Sequence, residues 1–380
     1  MRILILTYHR AYNCGAVLQA WALAKALRKA GHEVCFPMFN RAGEPRHILS
    51  YENCRYTGLK RIAWFVKRFF VNLLGVDIAM KTYVHFSRFR RKNLKEIDGA
   101  PSDFGNVADV AIVGSDQVWR PDLAGEYFKL FSAESLPVGF PVIGYACSLG
   151  DKTPIPDVLG KIERACTLYH AVSVRETLAQ ECLRRRTSSI PELVVDPTLL
   201  LDAPDYEELL FTGRCPREEY LLMYVIEWSP KVCETARRLA KQLGVKCVIM
   251  PQCCFSHWYA PKDSVLGCSP DMFLAYTKNA KYILAQSFHG TVFAIQYKKP
   301  FLSLRPDEDA EESRPAALLR QLGMQERIVT PQTPIGAMET LIKLEPNWDA
   351  VCIKISRMRK ESERFLSCAL NTVMRGGDEI

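Results

Sequence analysis

The chain has 380 residues, more than one hydrophobic core usually serves, so two domains of roughly 150 to 200 residues each are expected. Hydrophobic residues make up 48% and charged residues 24%, which excludes a disordered or collagen-like chain, and no run approaches the ~18 uninterrupted apolar residues of a spanning helix. The net charge of +8 is concentrated rather than spread, and the 14 cysteines contain no Cys-x-x-Cys pair, which excludes the usual zinc and dithiol signatures and leaves free thiols in a reducing compartment as the expectation.

In chain order, RILIL (Arg2 to Leu6) reads as a fully buried strand, and its apolar run is too short for the core of a signal peptide, so a cytoplasmic protein is expected. A loop through Asn13, Cys14 and Gly15 leads into AVLQAWALAKALRKAGH, a helix stopped by Gly31, and EVCFPMF follows as a second strand. This strand, helix, strand order is the unit of parallel α/β sheets. Between Gly58 and Asn93 the cations Lys60, Arg61, Lys67, Arg68, Lys81, Arg88, Arg90, Arg91 and Lys92 meet one acid, Asp77. Aromatic and aliphatic residues interleave with them, a pattern that suits an interfacial helix on anionic lipid and equally a core helix with a solvated basic edge. No nucleic-acid reading motif accompanies the charge, so that partner is not expected.

The alternation resumes with Val110 to Val113, running into Gly114, Ser115 and Asp116. PVIGYACS and AVSVRE read as strands around the helix DVLGKIERACTLYH, and LVVDPTLLL (Leu193 to Leu201) as the last strand of the series. A polar, turn-rich join is expected near Pro204 to Glu219. The second series runs from the strand YLLMYVI through the helix PKVCETARRLAKQLG, the strand KCVIMP, the helix PDMFLAYTKN, the strand AKYILAQS and the helix TVFAIQYKK to the strand PFLSL. The domains predicted are 1–203, 204–345, and a long amphipathic C-terminal helix within 346–380.

Ligands of open parallel sheets lie beyond the carboxyl ends of strands. The residues in such places are Asn13 to Gly15, Gly114 to Asp116, Arg175, Glu227 and Ser287 to Gly290. At the last of these an apolar strand, a glycine-containing turn and a helix start would direct backbone N–H groups at an anion, with the imidazole of His289 at the opening. Cys253, Cys254 and His257 lie close together but lack a second ligand pair, so no metal site is expected. No Gly-x-Gly-x-x-Gly fingerprint occurs.

Taken together, NCGAVLQAWAL, VGSDQVWRP, YACSLG, VSVRE, DPTLL and SFHGTVFAIQYKKPF resemble, in order and spacing, the polysaccharide pyruvyl transferase family over about residues 3–330. The resemblance implies an α/β fold of two Rossmann-like domains facing across a cleft, similar to the GT-B architecture, with the C-terminal helix crossing back to the first domain. It implies transfer of a pyruvyl group from phosphoenolpyruvate to two hydroxyls of a sugar, giving a cyclic ketal and phosphate. Phosphoenolpyruvate is then a co-substrate and no cofactor is implied; the acceptors are cell-surface glycans or precursors, frequently lipid-linked, and the basic segment 58–93 could hold a cytoplasmic protein peripherally at the inner face of the membrane.

On that resemblance His289 belongs to the donor site, as the proton donor or as a phosphate contact, with Ser287 and Gly290 beside it. Arg175 matches the SVRE arginine and would hold the donor's carboxylate or phosphate, as would Arg314. Some relatives carry arginine where this chain has Ser287, and Arg305 or Arg314 could replace it. On the acceptor side Asp116 and Gln117 could hydrogen-bond sugar hydroxyls, Asp116 serving as base or merely as a helix N-cap, while Trp119 offers a ring face. Asn13 and Gly15 would face the same cleft, Gly15 permitting close backbone approach. Two other readings stand beside this one: a nucleotide-sugar glycosyltransferase of the same architecture, and a non-catalytic glycan- or lipid-surface-binding protein.

Overall fold

A computed structural model describes residues 1–38, 78, 80–151, 153–184, 186–187, 190–213, 215–226, 229–252, 264–305 and 313–376. Lys60, Arg61, Lys67 and Arg68 of the basic segment, Glu227, and the Cys253, Cys254 and His257 group lie outside them.

Short, largely buried apolar runs form β1 (Arg2–Leu6), β2 (Glu33–Pro37), β4 (Val110–Val113), β5 (Val142–Cys147) and β6 (Ala171–Val174), with two-residue edge strands β3 (Glu96–Ile97) and β7 (Glu192–Leu193). They make one parallel sheet in the order β3-β2-β1-β4-β5-β6-β7. A second parallel sheet has the order β12-β11-β10-β8-β9, built from β8 (Tyr220–Val225), β9 (Lys246–Pro251), β10 (Tyr282–Ala285), β11 (Phe301–Leu304) and β12 (Ile328–Val329). The longer helices are α1 (Cys14–Lys29), α2 (80–93), α3 (Pro156–Leu168), α4 (Thr177–Leu183), α5 (Pro230–Gln242), α6 (Pro270–Asn279), α7 (Phe288–Gln296), α8 (Arg314–Leu322), α9 (Ile335–Lys343) and α10 (Trp348–Gly376).

The strand orders locate the crevices. In the first sheet β1 pairs with both β2 and β4, so the direction of strand addition reverses there, between the loops after β1 and β4. In the second, β8 pairs with β9 and β10, which puts the reversal between the loops after β8 and β10. Ligands of open α/β sheets collect at such switch points. The loops are Thr7 to Asn13 and Gly114 to Gln117 in one domain, and Gln286 to Ser287 in the other.

Two sequence expectations are corrected here. LVVDPTLLL is not a strand: β7 ends at Leu193, and Pro197, with no N–H to give a ladder, opens a 3-10 turn over Pro197–Leu199 capped by Asp196. The helix expected from Thr291 begins three residues earlier, at Phe288, because Ser287 Oγ accepts from the N–H of Gly290 and so starts the helix. Part of the basic segment is also decided. Phe86, Phe89 and Arg90 on α2 are buried, with the Arg90 guanidinium 5.9 Å over the Tyr12 ring, while Arg88, Arg91 and Lys92 are exposed. Over 80–93 the chain is thus a helix with Phe86 and Phe89 packed into the core and a basic edge in solvent, where Met80 and Val84 are also exposed.

Helix α10 returns to the first sheet. Phe365 packs 6.3 Å from Tyr145 of β5, and Arg359 donates to the carbonyls of Leu199 and Leu201. Ser362 Oγ accepts the N–H of Val195 at 2.9 Å, immediately before Asp196. Lys354 of the same helix donates to Leu322 O at the end of α8, so the helix spans both domains. No helix among the described residues is long and apolar enough to cross a membrane.

Candidate active site at the domain seam

The turn after β4 is contorted. Gly114 has φ +114°, and a Cβ there would sit 2.2 Å from Tyr145 O, so no other residue fits without backbone movement. Asp116 takes φ +81°, a left-handed conformation that aspartate tolerates better than most side chains. Thr7 Oγ1 donates to Ser115 O at 2.8 Å and itself accepts from Gln19 at 2.8 Å, tying the β1 and β4 loops together. Asp116 caps no helix: its carboxylate accepts from Gln117 N–H at 2.9 Å, and lies 3.7 Å from Arg175 and 3.9 Å from Arg314.

Asp196 is the centre of the site. Its Oδ1 accepts from the backbone and hydroxyl of Thr198 at 2.9 and 2.5 Å. Its Oδ2 accepts from Arg175 Nη1 at 2.5 Å and Ser115 Oγ at 3.3 Å, and faces His289 Nε2 at 3.7 Å. Burial alone would push this carboxyl up, but His289, Arg175 and Thr198 outweigh it and hold it well below the usual carboxylate range. Asp196 is therefore an ionised acid with almost no solvent contact, at 1% exposure.

Arg175, expected to clamp a donor, spends its charge on protein. Besides Asp196 it donates from Nε to Glu176 Oε1 at 3.1 Å, and its guanidinium lies 4.7 Å over the Phe288 ring. Only Nη2 is buried without a hydrogen bond among the described residues. Glu176 accepts from Ser148 Oγ at 2.5 Å, and burial pushes its carboxyl up against the opposing pull of Arg175 and Ser148. The Arg-Glu pair is thus deep in the site rather than a surface ion pair.

His289 is the second residue of α7 and stands edge-on to Phe288 at 5.3 Å. Its ring lies against Gly15 of the other domain so closely that a Cβ on Gly15 would be 2.1 Å from Nδ1. The imidazole is thus at the gap between the two halves, with a carboxylate on one side and a bare backbone on the other. Arg314, the first residue of α8, also crosses the seam, binding Asp151 Oδ1 through Nε at 3.1 Å and through its backbone N–H at 2.8 Å. A cavity of about 20 Å³, room for roughly one water, lies against Arg175, Asp196 and Phe288.

The structure thus brings His289, Asp116, Arg175, Arg314 and Gly15 together. Asn13 caps α1 by accepting from Ala16 N–H, and Ser287 and Gly290 are joined in the cap of α7. Gln117 is next to the site, its side-chain oxygen accepting from Arg120 at 2.9 Å. Arg305 is buried at the end of β11, its N–H paired with Val329 O. Trp119 is a correction: it is fully buried among Leu6, Phe131 and Cys147 in the first domain's core, so no ring face is open to a sugar. Ser115 lies in the Gly114 to Asp116 stretch singled out from the sequence, whereas sequence reasoning missed Asp196, Glu176, Ser148 and Asp151. The one available signal was the aspartate of DPTLL, since Asp before Pro-Thr is a cap that directs a carboxylate into a turn.

Two Rossmann-like domains apposed at their switch points define the GT-B-like class, and the structure of Arabidopsis thaliana UGT89C1 complexed with UDP-L-rhamnose is similar, with TM-score 0.51 and 10% identity over 98% of each chain. An S. aureus MnaA–UDP structure aligns with TM-score 0.47 and 12% identity over 94% of this chain and 90% of that one. No curated protein matches the sequence. The polysaccharide pyruvyl transferase family model matches residues 13–308, and the chain belongs to that family.

Proposed function

We infer that this chain transfers a pyruvyl group from phosphoenolpyruvate to two hydroxyls of one glycan sugar. The observation that carries the inference is the imidazole of His289, held at both switch points between Gly15 and the ionised Asp196, in a chain of this family. Phosphoenolpyruvate needs a proton at its terminal enol carbon before a hydroxyl can attack the neighbouring carbon. An imidazole facing a carboxylate can give that proton and take one back from the attacking hydroxyl. Loss of phosphate and attack by the second hydroxyl then close the ketal.

The described acids Asp116, Asp151, Glu176 and Asp196 already balance Arg175 and Arg314, so an anionic donor has to exchange with one of them. Asp151 is the exchangeable partner: its side chain is 42% exposed, and its bond to Arg314 spans the seam. Entry of the donor would open the seam, put its carboxylate on Arg314 in place of Asp151, and leave Arg175 to hold Asp196.

Incubating the protein with phosphoenolpyruvate and a panel of lipid-linked glycans tests this reading. The expected result is an acceptor mass gain of one pyruvyl ketal with release of phosphate. Consumption of a nucleotide sugar instead would favour glycosyl transfer, which the shared fold also supports, and binding without turnover would favour a non-catalytic role.

Gly15→Ala isolates the seam. Alanine is the better helix former by up to about 1 kcal/mol, so α1 itself gains. The new methyl, however, must displace the His289 ring or part the domains. Turnover is expected to fall about 100-fold, as for a catalytic group moved by about 1 Å, and the thermal midpoint to fall with it because the overlap reaches His289 Cβ. Unaltered turnover would show that the two domains do not close on this ring during the reaction.

A further inference from the structure

Cys14 and Cys268 are 254 residues apart in sequence and belong to different domains, yet their sulfurs are 3.9 Å apart. Both are buried, at 0% and 1% exposure, and both are free thiols. Cys14 is the first residue of α1, directly before the glycine that touches His289. Cys268 directly precedes Ser269, the N-cap residue of α6. The contact therefore joins the starts of two helices across the same seam that holds His289.

We propose that Cys14 and Cys268 are an oxidation site, closed to a disulfide by a hydroperoxide when the seam opens. A bond requires the sulfurs to approach by about 2 Å, a distance within reach of side-chain rotation plus a small domain shift. Either sulfur can attack first with the same balance of atoms, and Cys14 is taken as that sulfur. That attack on hydrogen peroxide gives a sulfenic acid at Cys14 and, with a proton, one water. The Cys268 sulfur then attacks the sulfenic sulfur and expels a second water. Two thiols and one peroxide become one disulfide and two waters, sulfur oxidised and peroxide oxygen reduced.

The product would fasten the N-terminal ends of α1 and α6 and keep Gly15 pressed on His289, so the seam could no longer open. In the closed, reduced state the same burial shields the thiols, so reaction reports opening. The inference is independent of the reaction proposed above.

The test uses the full reduced chain, treated with hydrogen peroxide, alkylated and digested without reductant. A peptide linking Cys14 to Cys268, lighter by two hydrogens and restored by dithiothreitol, is expected as the main cross-link, and it should be absent from Cys14→Ser and Cys268→Ser. Hydrogen exchange at residues 13–16 and 287–291 should slow about tenfold on oxidation, because opening is blocked. A link that forms only after unfolding in urea, a main cross-link between other cysteines, or exchange at the seam unchanged by oxidation would each overturn the proposal.

Discussion

His289→Ala is expected to lower pyruvyl transfer about 1000-fold while leaving acceptor affinity within about threefold, the size of effect that loss of a positioned acid produces. The prediction follows from placement. The imidazole lies in the seam with 7% exposure, its Nε2 is 3.7 Å from an ionised carboxylate, and its other face is bounded by Gly15. Nε2 makes no hydrogen bond among the described residues, so it is open to an incoming enol once the seam parts. His289→Gln keeps a polar group of similar reach without proton transfer, so it separates chemistry from packing. Turnover recovered in the glutamine variant, or unchanged in the alanine variant, would show that His289 only fills the seam.

Asp196→Asn should have the largest effect on stability. The carboxylate holds Arg175 at 2.5 Å and faces His289, both within a site almost closed to water. Removing one partner of a buried ion cluster leaves uncompensated charge, at a cost of about 3 kcal/mol at pH 7. The pH dependence carries a sign. Asp196 is held below its unfolded pKa of about 4, so its contribution is present above that pH and is lost as pH falls further. Glu176 works in the opposite sense: its carboxyl is raised, so its contribution is complete below its unfolded pKa and is lost as pH rises through the folded value. Denaturant unfolding at pH 7, 5 and 3.5 should therefore show the variant less stable than the parent protein throughout, with the gap equal at pH 7 and 5 and only beginning to narrow at pH 3.5. A gap that widens as the pH falls would mean that Asp196 is not ionised in the folded chain.

The strands were legible because a parallel sheet covered on both faces demands continuous aliphatic runs, as in RILIL, VAIV and YLLMYV. Residues after those strands were legible as site candidates by the same logic, which is how His289, Asp116 and Arg175 were found. Trp119 was misjudged because an aromatic beside a cleft turn looks the same in sequence whether its ring faces outward or inward. The Leu193 to Leu201 run was misjudged because its aliphatic composition hides a proline that ends the ladder.

By itself, then, the sequence determined two parallel α/β units, their turns and the histidine after the tenth strand, since these depend on local periodicity and on which side chains can be buried. Only the tertiary structure decided that Arg175 serves Asp196, that Gly15 bears on His289, and that Cys14 meets Cys268. Those pairings join different strand ends and different domains, and they arise where the two sheets present their switch points to each other. No local propensity encodes such a meeting; it follows from how the two packed halves close on one another.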